Sequence, residues 1–176
     1  MQNSTVFLSI KNGGKGIPYG GADEDPPDGS RNYGFKSLKS NPAETGKIPE
    51  AQGITALENA LIILNAAISP FFTVGCEKAF GKNDSGRWVS GYLEFAFNYG
   101  ELVADAKFYF NLFFLFNQWY WQQTQQIGTR YNFELEGATF LDANVSGFTI
   151  TAWIAAGSYP TKELHRLHGK AYSIRS

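Results

Sequence analysis

Two histidines, His165 and His168, stand three residues apart in TKELHRLHGK. On a helix that spacing places both imidazoles on one face, where they could share a metal ion. No cysteine or carboxylate completes a ligand set, and Glu163 belongs to another face. Lys162, Arg166, Lys170 and Arg175 give the same segment a positive bias, which suits a solvated face or a docking patch for an acidic neighbour. Four carboxylates crowd into DEDPPDG, residues 23–29. A calcium loop needs acids at alternate positions and a closing glutamate, and the two prolines break that spacing. NGGKGIPYGG, residues 12–21, has the glycines of a phosphate loop but neither its G-x-x-x-x-G-K-[ST] order nor a helix after it. Cys76 lies within a strand-like stretch and reads as a small buried hydrophobe rather than a nucleophile. Glu94 and Glu134 sit on two alternating segments and could face each other as a glycosidase pair does. Solvated strand faces carry glutamates just as readily. These sets predict no enzyme, no metal and no cofactor.

The most unusual stretch is KFYFNLFFLFNQWYWQQTQQ, residues 107–126, with nine aromatics between Phe108 and Trp121. Its apolar core is too short for a membrane-spanning helix, which needs about 20 residues. Residues 108–116 are apolar at both odd and even positions except Asn111, so the expectation is a strand buried on both faces. The Trp119, Tyr120, Trp121 end differs. Amphipathic rings beside glutamines suit a wet boundary, such as an interface, a sugar or a lipid headgroup.

The elements that would carry these residues follow from periodicity. Residues 5–10 read as a short strand. Residues 11–53 form a Gly/Pro-rich stretch without periodicity, expected as an extended arm on a partner or a loop pinned locally by Tyr19, Tyr33, Phe35 and Leu38. A helix over 54–69 follows, with a T-x-x-E capping box at Thr55 and Glu58. Ile54, Leu57, Leu61, Leu64 and Ile68 share one helical face, and Ile62 and Ile63 make a second apolar side. Pro70 ends it. Residues 71–157 then read as an antiparallel meander of long strands, the aromatic run among them, with turns near 81–86, 125–129 and 142–144. Residues 160–170 make a short basic helix.

The expected fold is therefore one mainly β (α+β) domain over 1–176. It is an antiparallel β-sandwich or barrel of about five to seven long strands, with the helix near 55–68 packed on it and a short C-terminal helix. The balance of 15 Lys plus Arg against 16 Asp plus Glu gives a net charge of −1, so nothing draws the chain to nucleic acid. With one cysteine no internal disulfide forms, which fits a reducing compartment or one where disulfides are not needed. MQNSTVFLSIKN shows no Sec-type signal, so synthesis in the cytoplasm is expected, with an assembled particle such as a virion as one final location.

Aromatic content of 16% and charge content of only 18% suit surfaces covered by neighbours. The leading expectation is a non-enzymatic structural subunit of a repeating homo-oligomer, a tube, shell or virion-like component held by arm and strand-edge contacts. Trp119, Tyr120, Trp121, Tyr19, Tyr33 and Phe35 are its expected contacts. A membrane-binding or pore-forming protein is the alternative, inserting Leu57, Leu61, Ile62, Ile63 and Leu64. A third reading is a barrel that binds a small apolar ligand in a cavity lined by Phe95, Phe110 and Phe114, with a glycan as another candidate partner.

Overall fold

The computed structural model describes residues 5–21, 33–83, 86–122 and 129–157. Five strands make one mostly β architecture: β1 (Thr5–Ile17), β2 (Phe71–Asn83), β3 (Gly86–Phe97), β4 (Thr129–Phe140) and β5 (Val145–Gly157). They form a single open sheet in the order β1-β4-β5-β3-β2. Three neighbouring pairs are antiparallel, but β1 lies parallel to β4. The expected all-antiparallel barrel is thus corrected. β1 joins β4 instead of closing onto β2, so the sheet is mixed and open. β1 also runs on to Ile17, through glycines expected to form a loop, with an irregularity between Lys11 and Gly14 that absorbs the mismatch with β4.

The larger correction concerns the aromatic run. Residues 106–121 are not a strand but α3 (Ala106–Trp121), preceded by the short α2 (Gly100–Ala104). The helix starts where the Asp105 side chain accepts the Lys107 backbone N–H at 2.9 Å. Its sequence contains no Val, Ile or Thr, so nothing stiff at Cβ disfavours the helix. Tyr109, Phe113, Phe116 and Tyr120 fall at i, i+4, i+7 and i+11, one ridge of a helix. That ridge packs on the sheet. Phe113 and Phe116 meet Phe133, Phe116 and Tyr120 meet Tyr131, and Tyr109 meets Phe97 and Phe148, with ring centroids 4.8–6.2 Å apart. The meander expected over 71–157 is therefore broken after β3 by two helices.

The strands supply the surface that α3 needs. Val89, Leu93 and Phe95 on β3, Tyr131, Phe133 and Leu135 on β4, and Ile150 and Ile154 on β5 are all buried. Their alternation along each strand, matched by the cross-strand register, gathers them on one face. Tyr109 ties the layers together through hydrogen bonds. Its hydroxyl donates to the Phe148 carbonyl at 2.5 Å and accepts the Phe97 N–H at 3.3 Å.

On the other side, α1 (Thr55–Asn65) packs on β2 and on residues 38–54, which include a 3-10 turn at Pro42–Lys47. Leu57, Leu61 and Leu64 are buried there with Leu38, Ile48, Ala51 and Ile54. The expected capping box does not form: Ile54 is the N-cap, without a side-chain bond, and Thr55 is already helical. The helix also stops four residues short of the expected end. Asn65 turns its amide to the Leu61 carbonyl and Thr73 Oγ1, and accepts the Thr73 N–H. Lys39 Nζ then takes up the carbonyls of Ala66, Ser69 and Phe71. Ile68, expected on the apolar face, lies beyond the helix and is exposed.

Replacing Tyr109 by Phe leaves the Phe148 carbonyl and the Phe97 N–H without their shared partner. Urea unfolding should show a loss of about 1–3 kcal/mol with an unchanged m-value. A variant as stable as the parent would show that the bridge is not needed to hold α3 to the sheet.

Candidate functional site

The face of the sheet turned away from α3 carries the chemistry, and cross-strand register orders it in rows. One row runs Phe7, Asn132, Trp153, Tyr92, Glu77 across all five strands. The next runs Ser9, Glu134, Thr151, Glu94, Gly75. A third begins Lys11, Glu136, Thr149. Directly opposed residues point to the same face. A row of rings thus lies beside a row of hydroxyls and carboxylates, which in turn lies beside a charged row.

A cleft of about 630 Å³ opens at one end of these rows. Gly75, Tyr92 and Glu94 line it from the sheet, Tyr19 and Tyr33 from the segments that flank it, and Leu61 from α1. Two backbone segments meet at its mouth. The Phe35 N–H donates to the Tyr19 carbonyl at 3.0 Å, and the two rings pack edge to face. Gly34 has φ +80, and a Cβ there would come within 2.8 Å of the Gly21 nitrogen, so only glycine allows this approach. Gly75 plays a similar part inside. A Cβ on it would lie 2.9 Å from the Tyr19 hydroxyl, which donates to the Val74 carbonyl at 3.0 Å.

The cleft's electrostatics centre on two carboxylates taken out of water. Glu94 is only 6% exposed and pairs with Lys15, whose ammonium also lies 3.3 Å from Glu136. Lys11 reaches Glu136 from the solvent side at 3.2 Å, and that carboxylate raises the Lys11 pKa above its ordinary value. Buried carboxylates need such partners to remain ionised. Burial pushes the Tyr19 phenol up to about 12, with Glu94 adding to it, and pushes the Tyr92 phenol upward as well. Burial also holds the Cys76 thiol near 12, with Glu50 contributing. Cys76 is therefore a protonated thiol at neutral pH and not a poised nucleophile.

The expected site residues scatter. Tyr19 and Tyr33 line the cleft, and Phe35 packs on Tyr19. Tyr120 is buried against Phe116 and Tyr131, which corrects its expected role as a surface contact. Trp119 is half-buried on Phe116, whereas Trp121 is 74% exposed. Leu57, Leu61 and Leu64 sit in the chain's own core, so in this fold they are not available to insert into lipid; Ile62 and Ile63 are exposed. Among the described residues no helix is long and apolar enough to cross a membrane. Phe95 is buried in the core and Phe114 faces solvent from α3, and neither they nor Phe110 line the cleft described above. Glu94 and Glu134 do share a row, with Thr151 between them. His165, His168, the basic helix over 160–170, DEDPPDG and the turn expected near 125–129 lie, wholly or nearly so, outside the described residues.

Sequence reasoning passed over Lys15, Glu136 and Tyr92. Lys15 was hidden in the glycine stretch, but Glu136 and Tyr92 both fall at polar-side positions of alternating strands. No protein-family model matches the chain, and no curated protein or solved structure matches it either.

Replacing Lys15 by Met leaves Glu94 without its cation. The expected loss is about 3 kcal/mol near neutral pH by urea unfolding. Adding Glu94→Gln should restore much of the stability. A second expectation concerns alkali. The unfolded chain releases phenol and thiol protons near pH 10 and 8.5, before the folded one does. Stability should therefore hold below about pH 8.5 and fall as pH rises toward 12. Thermal melts should show this decline, with the phenolate absorbance of the buried tyrosines Tyr19, Tyr92, Tyr109 and Tyr131 appearing as the chain unfolds.

Proposed function

We propose that the chain is a non-enzymatic structural subunit of a repeating homo-oligomeric assembly. The observation that carries this reading is the outer face of α3. Phe114 and Leu115 are more than 60% exposed and Trp121 more than 70%, on a helix already fully engaged through its other side. Asn111, Gln118 and Gln122 flank them, so from Asn111 onward the face bears no charge. Two copies can meet there without repulsion, rings against rings and amides against amides, about a two-fold axis. A separate apolar patch, Ile62, Ile63 and Ile68, lies on and just beyond α1. One patch permits a pair; two patches on different elements permit a continuing array.

The two outer strands bear on how such an assembly would be held. β1 and β2 are both 13 residues long, and each has a register irregularity and edge lysines: Lys11 and Lys15 on one, Lys78 and Lys82 on the other. Such devices discourage edge pairing. This shifts the proposed contacts from strand edges to helix faces. A sandwich, in this reading, would come from a second chain laid against the first.

A small-ligand-binding protein is the second reading. The cleft beside Tyr92 and Glu94 favours it.

Light scattering coupled to size exclusion tests the assembly. The expected result is an oligomer that the double change Phe114→Lys, Leu115→Lys converts to a smaller species with unchanged circular dichroism. A parent chain that stays monomeric at high micromolar concentration would sink the proposal.

A further inference from the structure

The exposed rings on the face away from α3 need an explanation that the core does not give. Phe7 is 51% exposed and Trp153 is 39% exposed, although both stand on long, well-paired strands. They belong to one row with Asn132 and Tyr92, and Tyr92 packs on Trp153 at 4.7 Å with the rings tilted by 53°. Adjacent strands lie about 4.8 Å apart. Trp153 and Tyr92 thus stand one strand spacing apart, and Phe7 stands two spacings from Trp153 with Asn132 between, intervals close to one and two sugar rings of an extended chain. Beside it on the same face, two residues along each strand, run Ser9, Glu134, Thr151 and Glu94, all with groups that hydrogen-bond hydroxyls.

The cleft at the end of this row sets the ligand's charge. Among the described residues its lining includes three cations, Lys15, Lys36 and Lys78, and three carboxylates, Glu50, Glu77 and Glu94. A lining with no net charge has no preference for an anion such as a phosphate, nor for a polyamine. Its donors and acceptors are paired instead, above all in Lys15 with Glu94. A vicinal diol matches such a pair, giving one O–H to the carboxylate and accepting one N–H from the ammonium. Tyr19 and Tyr92 are held by neighbours before any ligand arrives, so ordering them costs little on binding. The volume falls within the range of about 300–1,000 Å³ usual for ligand sites.

We infer that this face binds a neutral oligosaccharide. One sugar enters the cleft at Lys15 and Glu94, and the chain continues over Tyr92 and Trp153. The inference rests on the small-ligand reading of the cleft and is independent of self-association.

Saturation-transfer NMR and calorimetry test it with short cello-, malto-, manno- and chito-oligosaccharides. Galacturonate oligomers, chitosan oligomers and inorganic phosphate serve as charged comparisons. At least one neutral series should bind with a Kd of about 1 mM or tighter, and the charged probes roughly tenfold more weakly. Trp153→Ala and Tyr33→Ala should each weaken binding roughly tenfold with unchanged circular dichroism. Tyr99→Ala, an exposed ring outside the cleft, should leave it unchanged. Charged probes binding while neutral sugars do not would overturn the saccharide assignment and leave the cleft as a ligand site. If no probe bound, both would fall. Neutral binding untouched by either ring variant would place the ligand elsewhere and equally refute the proposal.

Discussion

Everything in this molecule depends on the ridge of rings that α3 lays across the sheet. Tyr109, Phe113, Phe116 and Tyr120 cover Phe97, Tyr131 and Phe133. Burying large rings supplies the main favourable term in a sheet that closes on nothing. The ridge also assigns roles to the two faces. With one face sealed, polar chemistry is confined to the other, where Glu94 and Glu136 are sheltered without being stranded. It leaves the far side of the helix as an uncovered apolar surface.

The two proposed activities therefore occupy opposite sides of one sheet and do not compete. Self-association through α3, as proposed, would leave the row of Tyr92 and Trp153 uncovered. The cleft is built by a different part of the chain, the segments around Tyr19, Gly34 and Leu61. Its preorganisation comes from glycines at Gly34 and Gly75, where the absence of a side chain lets backbone and ring approach closely.

Much of the fold was legible in the sequence, but unevenly. Alternation over 87–97, 131–136 and 148–154 located β3, β4 and β5 and assigned their apolar sides. The helix near 55 and its buried leucines followed from spacing alone. The aromatic run misled because apolarity at every position erases both periods, and aromatic residues are common in strands. What marked the helix was quieter: no β-branched residue, and Asp105 poised as a cap. β1 was cut short because its glycines were read as a loop, yet pairing with β4 holds them extended. The site was the least legible part. Lys15, Glu94 and Glu136 lie far apart in sequence, and only the register of four strands brings them together.

The parallel pairing of β1 with β4 has a consequence for how the chain reaches this state. Lys11 meets Glu136 across 125 positions. β1 can pair only once β4 is present, and three α-helices and two other strands lie between them in the chain. Contacts so distant in sequence slow folding, because a long loop must close before its pairing is rewarded. During that wait Val6, Leu8 and Ile17 lack their cover, and α3 has no complete sheet to pack on. The newborn chain would then depend on chaperones more than its modest size suggests.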